Sequence, residues 1–159
     1  MKHKRFVATL PNEEYRMLLG TGLCAFNQNH GVIVNNILEV DDGRYNWYDL
    51  INLTSGRISE RAKKTIAQKC GGTNIPDLFD ETIALRNNIV HSFQGVTEDG
   101  QPILRRKAHS GKVQFNIDEA YLNDFLAKNA ELAKELKAFN KHHTKKSHRR
   151  KMQVNGEEY

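Results

Sequence analysis

From Pro11 to about Glu39, apolar residues recur at helical spacing: Tyr15, Leu18, Gly22, Phe26, Ile33 and Ile37 share one face, interrupted only at the polar Asn29/His30 position. Pro11 suits a first helical turn, and Glu13 and Glu14 complement the positive helix end. A period held this long commits the chain to helix packing. Gly20, Gly22 and Gly31 each cost about 1 kcal/mol against alanine in a helix interior. Close helix–helix approach is the expected reason for them. If the helix breaks, Asn27-Gln28-Asn29-His30-Gly31 is where it should do so.

The same period returns along the chain. After a turn at Asp41-Asp42-Gly43, residues 46–53 read as a short helix bringing Trp47 and Leu50 or Ile51 to the core, and Thr54-Ser55-Gly56 breaks it. Ile58, Ala62, Ile66 and Cys70 then fall four apart, with Arg61, Lys63, Lys64 and Lys69 on a solvated outer face, until Gly71-Gly72 ends the helix. Pro76 and Asp77 open the next helix, and Asp80 and Glu81 favour its start. Leu78, Phe79, Ile83, Leu85, Ile89, Val90 and Phe93 form a stripe too wide for a surface helix, so this element is expected at the centre, stopped by Gly95.

One region is β-like. Asp99-Gly100 signals a turn, 103–107 is extended, 112–117 alternates Val113, Phe115 and Ile117, and Ala108-His109-Ser110-Gly111 turns the hairpin. Asn116 and Glu119 read as a capping-box pair for a last helix faced by Leu122, Phe125, Leu132, Leu136 and Phe139. Asn129 interrupts that seam, either to set register between helices or at a solvent edge. The expected fold class is all-α: a helical bundle with one small β-hairpin insertion, residues 96–117, before the last helix.

With 159 residues the chain is one domain by size. Its formal charge of +5 is uneven: residues 1–140 hold 18 Lys/Arg against 17 Asp/Glu, whereas 141–151 carry six cations and no acid. The division expected is a single helical domain over 1–140 and a basic tail over 141–159, disordered in isolation. Cys24 and Cys70, without C-x-x-C spacing, read as buried thiols of a reducing compartment. Met1 to Arg5 is basic but no apolar signal region follows, and no run approaches membrane length, so the expected location is cytoplasmic, with no membrane partner.

Phosphate-loop, dinucleotide, zinc and H-E-x-x-H signatures are absent, and His142, His143 and His148 lack the carboxylates of a metal site, so no cofactor is expected. What remains is Leu85-Arg86-Asn87-Asn88-Ile89-Val90-His91-Ser92-Phe93, polar groups threaded through Leu85, Ile89, Val90 and Phe93, which should be buried. His91 can exchange protons near neutral pH. Arg86 stays cationic and can hold two phosphate oxygens at once. Asn87, four residues before His91, shares its helix face and could orient the imidazole. These three are the candidate catalytic residues, and none of them needs a metal. Five residues along a helix turn by about 140°, however, so Arg86 and His91 should not naturally meet at one phosphate. A two-fold axis beside the segment would join two sets in a composite site.

The segment Arg86-Asn87-Asn88-Ile89-Val90-His91 resembles the R-x4-6-H motif of the HEPN domain superfamily, in which a polar residue, often Asn, follows the arginine. About one chance match to the loose motif is expected in this composition; requiring Asn after Arg and this spacing lowers that to about 0.04. The resemblance covers residues 11–140 in helix order and six residues in sequence. It implies a compact bundle that pairs as a homodimer and a metal-independent endoribonuclease of the toxin–antitoxin, abortive-infection or CRISPR-associated defence kind. RNA would be the substrate and a cognate antitoxin a partner; the 96–117 hairpin has no counterpart. Members without catalysis serve as binding modules. One alternative is therefore a non-catalytic nucleic-acid-binding dimer, whose phosphate contacts would be Arg105, Arg106, Lys107, Lys145, Lys146, Arg149, Arg150 and Lys151. Another is a regulatory interaction module, such as the partner of a nucleotidyltransferase. The plainest reading has Arg86 and His91 capping carbonyls or pairing with Asp80 or Glu81.

Overall fold

The computed structural model describes residues 10–154 apart from 42, 72 and 109–112, with side chains through residue 142. Helix α1 (Glu13–Val40) starts where Asn12 accepts the Tyr15 N–H at 2.7 Å, with Glu13 and Glu14 in its first turn. It runs unbroken through Asn27–Gly31. Of its glycines, only Gly22 faces a close neighbour: a Cβ there would lie 2.8 Å from the Phe125 ring, while Gly20 and Gly31 face open space. Close approach therefore explains Gly22 alone. Gly31→Ala should stabilise the fold by about 0.4–1 kcal/mol, because alanine restricts the unfolded chain. Gly22→Ala should destabilise it, because Phe125 is fully buried and has nowhere to move. Denaturation midpoints should shift in opposite directions; a stabilised Gly22→Ala would show a looser seam.

Helix α2 (Trp47–Ile51) is capped by Asn46, which accepts the Asp49 N–H at 2.9 Å. Its single inward position is taken by Leu50, leaving Trp47 48% and Ile51 41% exposed, contrary to the core place expected for Trp47. Helix α3 (Ser55–Ala62) begins directly after Thr54, so Ser55-Gly56 opens a helix rather than breaking one. It continues as a π-helical segment, Lys63–Ala67, and a last turn, α4 (Gln68–Cys70), before Gly71 at φ +71. Ile58, Ala62 and Ile66 are fully buried, as their spacing predicts. Neither cysteine is: Cys24 lies on the outer face of α1, exposed, and Cys70 is partly buried.

Helix α5 (Ile75–Val90) is central, packed against α1, α3, the π segment, the sheet and the last helix. Leu78, Phe79, Ile83 and Ile89 are buried, but Val90 and Phe93 are 46% and 45% exposed. The helix ends earlier than its apolar stripe suggests. Ser92 closes it by donating both its N–H (3.1 Å) and its hydroxyl (2.6 Å) to the Ile89 carbonyl. Arg106 Nη1 donates to the His91 carbonyl at 2.8 Å. These donors satisfy the carbonyls that a further turn would have used.

Phe93–Val96 is instead strand β1, which pairs with β2 (Pro102–Lys107), itself paired with β3 (Gln114–Ile117). The expected hairpin is thus a three-stranded antiparallel meander, with Phe93 opposite Arg105 and Leu104 opposite Ile117. Gly100, at φ +79, makes the Asp99-Gly100 turn. The second turn, at 109–111, lies outside the described residues.

Helix α6 (Glu119–Val154) is capped by Asp118, which accepts the Tyr121 N–H at 2.8 Å. Asn116 is not the cap; it sits in β3 and accepts from Arg105 Nε at 2.9 Å. Leu122, Phe125, Leu132 and Leu136 are buried. Asn129 is buried too, its carbonyl and side-chain oxygens receiving Asn29 Nδ2 at 2.9 and 3.2 Å, which ties α6 to α1 at one register. The helix continues to Val154 through the segment whose composition suggests disorder; no Gly or Pro interrupts it. Phe26, Phe79 and Phe125 meet where α1, α5 and α6 converge, with ring centroids 5.9 and 6.3 Å from Phe26. The chain is therefore mostly helical with one small sheet. Among the described residues no helix is long and apolar enough to cross a membrane.

Candidate active-site cleft

Arg86, Asn87 and His91 line one cleft of about 560 Å³, closed by Phe26, Asn27 and His30 of α1 and by Thr54, Ser55 and Gly56 at the start of α3. Leu53 and Ile83 complete its lining, which contains no carboxylate.

Arg86 is half-buried, and its partners are neutral. Nη1 donates to Asn87 Oδ1 at 3.1 Å, Nη2 donates to Ser55 Oγ at 2.9 Å, and the guanidinium carbon lies 4.8 Å from the Phe26 ring centre. Asp80 and Glu81 are held by Lys63 (2.5 Å) and Lys128 (2.7 Å). Among the described residues no carboxylate pairs with Arg86. A fixed planar cation without a counter-ion, in a cleft free of acids, is suited to an anion with several oxygens. The start of α3 adds to this field: no side chain caps it, and no acid lies in its first turn.

Asn87 has a different task from the one its spacing suggests. Its side chain holds Arg86, while its backbone carbonyl accepts the His91 N–H at 3.1 Å. His91 is the residue after the last helical one, at φ −102 and ψ 14, with an exposed side chain. Lying past the helix end, it lines the same cleft as Arg86 within a single chain. The five-residue separation therefore does not keep the two from lining one cleft.

The cluster Arg105-Arg106-Lys107 is not one basic patch. Its members alternate sides of β2; Arg105 bonds Asn116, and Arg106 clamps the His91 carbonyl. Lys107 is exposed. The side chains of Lys145, Lys146, Arg149, Arg150 and Lys151 lie outside the described ones. Among the described residues no group of three or more His, Cys, Asp or Glu could hold a metal ion.

Sequence reasoning missed His30, noticing it only as a polar interruption of the α1 face. The imidazole packs against both Phe26 (centroids 6.2 Å apart) and Phe79 (5.8 Å). Burial, and then the nearby Arg86 charge, hold its pKa below the ordinary histidine value. The unfolded chain therefore takes up this proton first as pH falls. The contribution of a neutral His30 to stability is complete above about pH 6.5 and declines as pH drops through that value toward the lower folded pKa. His30→Gln should accordingly lose less stability than wild type between pH 7 and 5 in denaturant titrations; an unchanged pH slope would contradict the assignment.

Comparison with protein-family models, curated proteins and solved structures found no match.

Proposed function

We propose that this protein is a metal-independent endoribonuclease of the HEPN type, cleaving RNA by attack of the ribose 2′-OH on the adjacent phosphate. The observation that carries the proposal is Arg86, a half-buried guanidinium with no carboxylate partner, beside exposed His91 in one acid-free cleft. Arg86 would hold two oxygens of the scissile phosphate and stabilise the charge that builds on them. Asn87 and Ser55 fix its planar fork. His91 would transfer a proton, its backbone held by Arg106. The products would be a 2′,3′-cyclic phosphate and a 5′-OH.

A cytoplasmic homodimer of toxin or phage-defence character, with a cognate antitoxin as its partner, belongs to the same proposal. The exposed Val90 and Phe93 flanking His91 are apolar surface that a second copy could cover. A monomer in solution would remove that part. The test of the activity is the purified full chain mixed with single-stranded RNA, or DNA of the same sequence, in excess chelator. RNA should be cut and DNA left intact. Salt-sensitive binding without cutting would leave a nucleic-acid-binding module, and neither would leave a regulatory one.

The basic segment should add affinity rather than chemistry. Deleting residues 141–159 spares the α6 core residues Leu122, Phe125, Leu132, Leu136 and Phe139. It should weaken RNA binding and flatten its salt dependence while turnover at saturating RNA persists. Loss of turnover at saturation would place the segment in the site.

A further inference from the structure

We infer that His30 is the second proton-transfer group of the cleft, accepting the proton of the attacking 2′-OH while His91 supplies one to the departing 5′-oxygen. The inference rests on the ribonuclease reading above and assigns it a residue that no motif marks. In an in-line displacement the attacking and leaving oxygens lie on opposite sides of phosphorus. A single imidazole cannot serve both at once. Among the residues lining the cleft, His30 and His91 are the two imidazoles, rings that can accept or donate a proton; the rest are apolar, amide, hydroxyl, glycine or arginine.

They come from different elements, His30 from α1 and His91 from beyond the end of α5, so they reach the cleft independently. The Phe26 ring carries both the His30 imidazole and the Arg86 guanidinium, which makes Arg86 the charged neighbour of His30 and places the phosphate-holding group beside it. Half-burial against Phe26 and Phe79 next to a fixed cation favours the neutral ring, the form a base needs.

The step balances. The 2′-O–H bond breaks and its proton goes to a ring nitrogen of neutral His30, while the 2′-oxygen bonds phosphorus. The bond from phosphorus to the 5′-oxygen breaks, and that oxygen takes a proton from the His91 imidazolium. Exchange with water then restores both rings.

The deciding experiment compares ordinary RNA with RNA carrying sulfur in place of the 5′-bridging oxygen at one linkage, because a thiolate leaves without being protonated. On ordinary RNA, His91→Ala and His30→Gln should each cleave about 10²-fold or more slowly than wild type. On the sulfur substrate His91→Ala should recover to near the wild-type rate, and His30→Gln should remain slow. His30→Phe, which keeps an aromatic ring against Phe26 and Phe79, should be as slow as His30→Gln; recovery with Phe would reduce His30 to packing and overturn the inference. So would wild-type rates in both His30 variants, or rescue by sulfur of His30→Gln rather than His91→Ala.

A measurement on the intact protein removes any dependence on how the variants fold. Saturation with an uncleavable 2′-deoxy dinucleotide should shift the imidazole NMR signals of both His30 and His91, and an unmoved His30 signal would also overturn the inference. If wild type cuts RNA and the His30 variants match it, this inference alone fails. If wild type cuts no RNA, the ribonuclease reading fails and takes the inference with it.

Discussion

Replacing His91 with alanine should lower RNA cleavage by about 10²–10⁴-fold, the range that removal of a general acid or base produces. The fold should hardly notice, because the structural work at this position belongs to the backbone. The His91 N–H donates to Asn87 and its carbonyl accepts from Arg106, and alanine keeps both. The imidazole itself is exposed, so stability should stay within about 0.5 kcal/mol of wild type. Arg86→Lys should lose most of the activity as well. A lysine keeps the charge but cannot bond Asn87, Ser55 and a phosphate from one planar fork while lying on Phe26. Asn87→Ala should cost less than either, since it removes one of two side-chain bonds that fix the guanidinium. Single-turnover rates measured beside thermal melts check the set. A His91→Ala protein that cleaves at the wild-type rate would refute the proposed chemistry.

The second large effect is on stability. Phe26→Ala and Phe125→Ala should each destabilise the protein by about 3–5 kcal/mol, because each empties a ring-sized space at the junction of α1, α5 and α6. The two should part company in function. Phe26 supports both Arg86 and His30, whereas Phe125 packs against Phe26 and Gly22, away from the lining of the cleft. In the milder pair Phe26→Leu and Phe125→Leu, studied where both are folded, only Phe26→Leu should slow cleavage markedly. Equal activity in the two would mean that the Phe26 ring does not position the site.

The helices were readable because their periodicity is strong and their caps are local. Between Tyr15 and Ile37 and between Leu122 and Leu136 the residues that the 3.6 period selects are buried, except Leu18, which is partly so. The first strand was hidden by the same rule: Leu85, Ile89 and Phe93 continue a helical spacing that Ser92 and Arg106 cut short, and Arg106 comes from a strand not adjacent in sequence. Trp47 misled because a five-residue helix has one inward position, which Leu50 fills. Asn116 looked like a cap until Asp118, two residues on, took that place.

At the cleft, Arg86 and His91 were legible from six consecutive residues. Asn87 was assigned the wrong neighbour because helical spacing places it near His91, while the adjacent guanidinium reaches back to it. Ser55 and His30 could not have been found by spacing, since α3 and α1 bring them to the cleft through tertiary packing alone. The Asn29–Asn129 bond belongs to the same class: two isolated polar residues on separate helices, each uninformative until the helices meet.

The most direct test is a DNA strand containing a single ribonucleotide, incubated with the purified protein in excess chelator. If Arg86 and His91 act on a phosphate attacked by its own 2′-OH, the strand is cut once, on the 3′ side of that ribose, leaving a 2′,3′-cyclic phosphate and a 5′-OH. The Arg86→Ala and His91→Ala proteins should leave nearly all of it uncut in the time wild type takes to cut it. Cutting at deoxyribose positions, 3′-OH and 5′-phosphate ends, or cutting by either variant at the wild-type rate would contradict the account.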